Sequence, residues 1–373
     1  MMTKTIVLTC NSSFGLVNFR MALMRRLQSE GYRVVAVAPR DEYSAQLEAA
    51  GIEVHDWHLS ARSTHLSSEV RALSQLIGIY KTLRPDLCFH YTVKAVLYGA
   101  LAARWTGVRY VSVITGLGYV FLNESIVSRC ARLLYRLLLN NSFRVWFLNH
   151  ADLDEFVRLR LVKAEKAEII PGEGVDTDHF QPIKRAEATE INFLVVARLL
   201  RDKGIFEFVD AVGLLRERGH RFKANILGER GNNNPAGIPD YVVDNWVECG
   251  IVNYLGTTRD VRPHLQAASC VVLPSYREGI PLALLEASAM ATPVIATNVP
   301  GCQDVVAHGV NGYLCEARDS IALANCMEEF LKLRNEERTA MGDRGRDLVK
   351  RRFAQNIVIK RYIEILGRLN RSI

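Results

Sequence analysis

The sequence predicts an α/β protein made of two doubly wound, Rossmann-like domains, and three observations carry that prediction. The chain has 373 residues, enough for two cores at roughly 150 residues per domain. Short β-branched runs alternate with segments of helical spacing from the first residues onward, the pattern of βαβ units and so of parallel sheets. After a polar segment containing Pro182, Lys184, Arg185 and Glu187 the same alternation starts again. Hydrophobic residues at 49% and charged residues at 23% exclude a disordered or fibrous chain.

Thr5–Thr9 reads as the first strand, Leu16–Glu30 as a helix stopped by Gly31, and Arg33–Ala38 as a second strand closed by Pro39. Leu87–His90, Tyr110–Ile114, Val145–Leu148 and Ala167–Ile170 are further strands, with a helix over Lys94–Trp105 that ends near Gly107. In the second series Ile191–Val196 is a strand, Ile205–Arg218 a helix and Lys223–Leu227 a strand ending at Gly228. The strand Val252–Leu255, the helix Val261–Ala268, the strand Cys270–Leu273, the helix Pro281–Met290 and the strand Pro293–Ala296 follow, then a helical tail. The expected division is 1–183, 187–354 and a C-terminal helix over 355–373. In that helix Ile357–Leu369 has apolar residues at helical spacing and is expected to pack back on the N-terminal domain. Two such domains would face a cleft, with functional residues on loops that follow strands.

The eight cysteines form no C-x-x-C pair and several sit in apolar, strand-like runs, which suits buried free thiols in a reducing, cytoplasmic compartment. The apolar run at Thr5–Thr9 is too short for a signal-peptide core, and no stretch of about 20 uncharged apolar residues could span a membrane. Residues 1–150 hold 17 Lys and Arg against 9 Asp and Glu, whereas residues 151–373 hold 30 against 31. A basic surplus confined to the first half suggests an anionic partner there: nucleic acid, a phosphorylated ligand or an anionic membrane leaflet.

The strongest chemical signal is the stretch Pro274 to Ala287, in which Glu278 lies in a strand-to-helix loop and Glu286 lies eight residues on, inside the helix that Pro281 opens. The Gly279 and Ile280 amides at that helix start form an anion site, and the two carboxylates can accept hydrogen bonds from hydroxyls on either side of it. Leu282 belongs to the same turn. A second signal is Val195 to Gly204, a strand ending in a basic turn. Arg198 offers a two-pronged guanidinium there and Lys203 a point charge, a pair suited to a diphosphate.

Together these motifs resemble those of the retaining glycosyltransferases of family 4, which have the two-domain GT-B architecture. The likeness spans nearly the whole chain: the turn Gly172 to Phe180, the V-A-R-L…K-G stretch at Val196 to Gly204, the Gly228 loop through Asn234-Pro235, the segment Leu255-Gly256…Asp260-Val261, and the E-x7-E pair Glu278 and Glu286. Within the family, Asn18-Phe19-Arg20, His90-Tyr91-Thr92-Val93-Lys94 and Ile114 to Phe121 look like bacterial enzymes that extend lipid-linked oligosaccharides. The resemblance implies a UDP-N-acetylhexosamine donor such as UDP-GalNAc and an undecaprenyl-diphosphate-linked saccharide as acceptor. It places the enzyme in the cytoplasm, peripheral at the inner face of the bacterial plasma membrane. By the same resemblance Arg198 and Lys203 bind the donor diphosphate, Glu278 holds donor-sugar hydroxyls and Glu286 the ribose, and attack is front-face, with the leaving phosphate accepting the acceptor's proton.

The chain departs from the family where Thr115-Gly116 follows the strand ending at Ile114, since many members carry a histidine there. His90 could take over as an acceptor-side contact together with Lys94, Thr115 and Gly116, and a buried strand-end histidine is the alternative. The first loop has one glycine, Gly15, where family loops often have two, and its amides are expected to approach the donor phosphate.

Several lookalikes have plain structural readings. Asp176-Thr177-Asp178 and Asp152-Leu153-Asp154 both spell D-x-D, but the first falls in the shared family turn and the second at a helix N-terminus where acids favour the dipole. His55 and His58 lack a third ligand nearby, and Gly116-Leu117-Gly118 is too short for a dinucleotide fingerprint. No metal or other cofactor is expected. Ile126–Leu139 places apolar residues along one helical stripe with Arg129, Arg132 and Arg136 around it, fitting either an anionic membrane interface or a core contact with snorkelling arginines. No nucleic-acid motif appears. The rival readings are a nucleotide-sugar 2-epimerase of the same architecture, a transferase with another nucleotide or hexose, and a binding module without turnover.

Overall fold

The computed structural model describes residues 3–59, 65–117, 126–183, 190–231 and 234–370. The chain divides into two units, Met1–Glu173 with Ile359–Ile373, and Gly174–Val358.

The first unit holds a seven-stranded parallel sheet: β1 (Thr5–Thr9), β2 (Arg33–Ala38), β3 (Glu53–Asp56), β4 (Leu87–Tyr91), β5 (Tyr110–Ile114), β6 (Arg144–Phe147) and β7 (Ala167–Ile169), in the order 3-2-1-4-5-6-7. β1, β4 and β5 are buried along their whole length, as strands with helices on both faces must be. β1 pairs with both β2 and β4, so the direction of winding reverses between β1 and β4. The first helix runs Ser13–Ser29 and begins before Leu16 because Ser12 caps it, its hydroxyl accepting from the Gly15 amide at 3.1 Å. β3 and the helices Ser44–Ala49 and Leu66–Leu83 are additions to the sequence reading. β3 reads Glu-Val-His-Asp and is an only partly buried edge strand, so it shows no apolar run.

The C-terminal helix Gln355–Asn370 contributes its residues from Ile359 onward to this first unit. Tyr362 is buried there, its ring 4.9 Å from that of Phe89 and 4.8 Å from that of Trp146, and it accepts a hydrogen bond from Tyr91 OH at 3.2 Å.

The second unit holds six parallel strands, β8 (Asn192–Val196), β9 (Lys223–Leu227), β10 (Asn253–Tyr254), β11 (Cys270–Leu273), β12 (Val294–Thr297) and β13 (Gly312–Cys315), in the order 10-9-8-11-12-13. Winding reverses between β8 and β11, which pair directly. The first residues of this unit belong to it through backbone bonds: the Val175 amide donates to the Phe353 carbonyl at 2.9 Å and the Gln355 amide to the Val175 carbonyl at 3.0 Å. Arg346 adds bonds to the carbonyls of Phe180 and Thr177. The division therefore falls at Glu173 and Gly174, ahead of the polar segment at 183–187, of which residues 184–187 lie outside the described residues.

Candidate active site

The loops that follow β8 and β11 meet at the point where the second sheet reverses its winding, the usual place for a ligand in such sheets. After Val196 the chain passes through Arg198 and a single 3-10 turn, Arg201–Lys203, to Gly204, and then enters the helix Ile205–Glu217. Gly204 has φ +69, and a Cβ there would sit 2.0 Å from the Pro274 carbonyl oxygen; only glycine lets the basic turn lie this close to the loop after β11. The Tyr276 amide donates to the Asp202 carbonyl at 2.9 Å. Lys203 Nζ lies 2.5 Å from Glu278 Oε1, with the two side chains 19% and 14% exposed. On the far side of Glu278 a Cβ on Gly301 (φ +83) would fall 2.3 Å from the Gly279 carbonyl oxygen, so the loop after β12 closes on the same turn.

Arg198 is exposed, and its guanidinium makes no hydrogen bond or ion pair among the described residues. Of the two cations read from the sequence, one is thus held by a carboxylate and one is free to meet a ligand. The helix after β11 runs Leu282–Ala289 with Pro281 as its N-cap and no side-chain cap. Gly279 and Ile280 therefore precede the helix rather than open it, and its first unpaired amides start at Leu282. Glu286 lies in this helix and is half-buried; burial alone pushes its carboxyl up to about 8.

The sequence reading passed over Tyr276, although it stands in the same motif. Its hydroxyl donates to Glu207 Oε1 at 2.6 Å, and the Arg318 guanidinium stacks 4.5 Å from its ring centre. Tyr276 thereby ties the loop after β11 to the helix Ile205–Glu217. A tyrosine flanked by Ser275 and Arg277 in a loop was the available signal.

In the first unit the outcome differs residue by residue. His90 is fully buried in β4, its ring near-parallel to those of Tyr80 and Tyr110 and its Nε2 3.0 Å from the Tyr80 hydroxyl. Burial pushes its pKa down to about 3. It is a core histidine, and the expectation that it touches an acceptor is corrected. Lys94 pairs with Glu69 at 2.8 Å, and Glu69 also accepts from the Tyr98 hydroxyl. Thr115 and Gly116 follow β5 and are half-buried, while Gly118 to Phe121 lie outside the described residues. The Gly15 amide is engaged by Ser12 and the neighbouring Phe14 amide by Asp41, so the expectation that Gly15 presents its amide to a phosphate is corrected. The small size of Gly15 serves packing instead: a Cβ there would lie 3.0 Å from Cys10 Sγ. The motif Asn18-Phe19-Arg20 contains a buried cation, Arg20, paired with Glu173 and lying 4.1 Å over the Tyr91 ring.

The helix Ile126–Leu139 turns Ala131, Tyr135, Leu138 and Leu139 into the core of the first unit but leaves Leu133 and Leu137 57% and 54% exposed. Arg129 is exposed beside them. Arg136 bonds the carbonyls of Leu159 and Arg160, capping the end of the helix His150–Arg158, and Arg132 is half-buried. The metal lookalikes are structural. Asp176 Oδ1 accepts from the amides of Asp178 and His179, Asp152 and Asn149 bond reciprocally at a helix start, and His55 and His58 pair with Glu53 and Asp56. Among the described residues no group of three or more potential ligands could hold a metal ion.

Residues 176–348 match the family model "Glycosyl transferases group 1" and residues 14–173 the model "Glycosyl transferase 4-like domain". The chain is 25% identical to the N,N'-diacetylbacillosaminyl-diphospho-undecaprenol alpha-1,3-N-acetylgalactosaminyltransferase of Campylobacter jejuni, across 96% of this chain and 97% of that protein. It is 28% identical to the UDP-Gal:alpha-D-GlcNAc-diphosphoundecaprenol alpha-1,3-galactosyltransferase of Escherichia coli across 70% of each. The crystal structure of Anabaena HepE in complex with UDP and glucose superposes with a TM-score of 0.81 at 18% identity, over 98% of this chain and 99% of that one. With one family model on each of its two Rossmann-like units, the chain belongs to the family 4 glycosyltransferases of GT-B architecture.

Proposed function

We propose that this glycosyltransferase moves an N-acetylhexosamine, such as GalNAc, from a UDP-sugar to an undecaprenyl-diphosphate-linked saccharide, with retention of the anomeric configuration, in polysaccharide or glycan assembly. The observation that carries the reading is the Lys203–Glu278 pair at the winding reversal of the second sheet, with the unpaired Arg198 guanidinium on the same loop as Lys203. The full-length similarity to the Campylobacter enzyme supports the choice of sugar and lipid carrier.

In this reading Arg198 and Lys203 meet the donor diphosphate and stabilise the charge that grows on the leaving UDP, and the unpaired amides from Leu282 add to that field. Glu278 accepts from hydroxyls of the donor sugar while its other contact keeps Lys203 in place. Glu286 accepts from the ribose hydroxyls. The bond from the sugar C1 to the UDP oxygen breaks as the acceptor oxygen bonds to C1 from the same face, and the acceptor's proton passes to a phosphate oxygen of UDP. Catalysis rests on positioning and preset charge.

The acceptor lipid calls for a peripheral place at the inner, cytoplasmic face of the plasma membrane. Among the described residues no helix is long and apolar enough to cross a membrane, and the exposed pair Leu133 and Leu137 beside Arg129 supports contact with an anionic surface.

The test is transfer to a synthetic polyprenyl-diphosphate saccharide from UDP-GalNAc, UDP-GlcNAc and UDP-Gal, with the product's anomeric configuration read by NMR. An α-linked HexNAc product formed only when acceptor is present supports the proposal. Conversion of the donor alone would make the protein an epimerase, and an inverted product would end the front-face mechanism.

A further inference from the structure

The first unit carries a cavity that the transfer reaction leaves unexplained. It lies at the amino edge of the seven-stranded sheet, the edge opposite the loops that follow its strands, and has a volume of about 630 Å³. Lys4, Tyr32, Asp86 and Arg109, each immediately before a strand, line it, and Leu366 and Leu369 of the C-terminal helix form one apolar wall. Lys81 and Arg84 come from the end of the helix Leu66–Leu83.

Charge here is one-sided. Four cations, Lys4, Lys81, Arg84 and Arg109, share the cavity with a single carboxylate, Asp86, whose Oδ2 already accepts from the Thr5 amide at 2.8 Å. Lys81, Arg84 and Arg109 are exposed, and their side chains make no hydrogen bond or ion pair among the described residues. The helices Leu66–Leu83 and Val93–Thr106 both end at this rim, and two helix C-termini supply together about one negative charge. With Lys4 set aside, the exposed Lys81, Arg84 and Arg109 outweigh Asp86 and the two helix ends by about one positive charge.

Arg84 adds an independent sign. It is the C-cap of its helix at φ +46, a left-handed position that glycine occupies at no cost and a β-carbon-bearing residue does not. Its neighbour Gly107, at the matching end of the second helix, does have glycine at φ +71. An arginine kept in a glycine's conformation, aimed into a cavity with two further unpaired cations, points to a ligand for its side chain.

We propose that this cavity binds a phosphate-bearing anion, at a site separate from the donor loops of the second unit. The guanidinium forks of Arg84 and Arg109 take the phosphate oxygens, and the tyrosine and leucine walls take an uncharged remainder. The volume is of the size that holds a small organic ligand. A phosphorylated metabolite and a phospholipid headgroup share this chemistry.

The experiment uses the full chain with saturating UDP, which occupies the donor site. Inorganic pyrophosphate is titrated calorimetrically, and in parallel vesicles of phosphatidylcholine with and without phosphatidylglycerol are sedimented. The expected result is saturable pyrophosphate binding that weakens at least tenfold in K81A/R84A/R109A while affinity for UDP stays unchanged. If the same variant also loses phosphatidylglycerol-dependent sedimentation relative to its parent, the ligand is a headgroup; if sedimentation is unchanged, it is a soluble anion. The single change Arg84→Asn, which tolerates the left-handed backbone, gives a smaller loss in the same direction and guards against misfolding. Equal binding by parent and variants in both assays, or no pyrophosphate binding once UDP is present, overturns the proposal. Neither outcome bears on the donor site, which the UDP affinity reports separately.

Discussion

Lys203 Nζ and Glu278 Oε1 lie 2.5 Å apart, joining the loop after β8 to the loop after β11 across the reversal of the second sheet. The ammonium is therefore set before any donor arrives. Replacing Lys203 by Ala is expected to lower kcat/KM by about 100-fold, on the order of 3 kcal/mol, as for loss of one donor to a developing oxyanion. Glu278→Gln alone should also be impaired. The double variant should cost less than the two losses combined, because each single change leaves a partly buried charge without its partner. Steady-state kinetics of the four proteins with UDP-GalNAc checks this, and strict additivity counts against a working pair.

The Arg198 side chain has no partner among the described residues, so its removal should cost function and not stability. Arg198→Ala is expected to melt within about one degree of the parent while its affinity for UDP falls about tenfold or more. Arg198→Lys keeps the charge and loses the two-pronged geometry, and should recover only part of the binding. Calorimetric titration with UDP, beside a melting curve, separates the two effects. A large drop in melting temperature would mean that the guanidinium supports the fold.

Glu286 makes the stability of the ligand-free protein depend on pH. Its carboxyl is raised from 4.5 to about 8 by burial, so between these values the folded state keeps a proton that the unfolded state releases. Stability is then highest below about pH 4.5 for this group and falls as pH rises toward 8. Glu286→Gln removes the effect and should be the more stable protein at pH 8 by an amount on the order of 2 kcal/mol. Denaturant titrations at pH 5.5 and 8 read it directly. Parallel curves for parent and variant would place the carboxyl in water.

The meeting of the two motifs of the second unit was legible because their residues are close in sequence. Arg198, Lys203, Glu278 and Glu286 sit within two short stretches, each a strand followed by a helix, and the parallel sheet brings the two stretches together through the pairing of β8 with β11. The loops of the first unit were harder to read. Whether the Gly15 amide is free depends on Ser12 and Asp41, and whether His90 reaches a ligand depends on Tyr80 and Tyr110, residues whose approach no spacing announces. The edge strand β3 escaped notice because a half-exposed strand of charged residues has no apolar period. The domain boundary was displaced because Val175 bonds to residues nearly 180 positions later, a long-range pairing that composition does not encode.

The burial of His90 has a direct consequence at Gly99. A Cβ at Gly99 would lie 2.6 Å from the His90 ring, and the fully buried ring is held by its bond to the Tyr80 hydroxyl and by its stack with Tyr110. Gly99→Ala is expected to cost about 1–3 kcal/mol as an overpacked core, visible as a loss of several degrees in melting temperature, with kcat per folded molecule unchanged. The His90 resonances should not titrate between pH 5 and 8, since its pKa lies at about 3. A histidine titration in that window assigned to His90 would return it to the surface.

Leu133 and Leu137 stand one turn apart on the outward side of the helix Ile126–Leu139, while Ala131, Tyr135, Leu138 and Leu139 hold the inward side. Because the core contacts come from other residues, the exposed pair can be changed without opening the core. Leu133→Ser with Leu137→Ser should leave the melting temperature within about one degree, since surface substitutions away from caps and ion pairs are usually worth less than 0.5 kcal/mol. Each leucine side chain inserted into an interface contributes about 1.5–3 kcal/mol when fully buried, so losing two of them should reduce sedimentation with anionic vesicles by at least tenfold. Activity on a short-chain, water-soluble acceptor should persist while activity on vesicle-borne acceptor falls. Arg129→Ala should act in the same direction but weaken as salt is raised, because its contribution is screened and that of the leucines is not. If the serine variant sediments like the parent, the exposed leucines have no part in membrane contact and the helix serves the core alone.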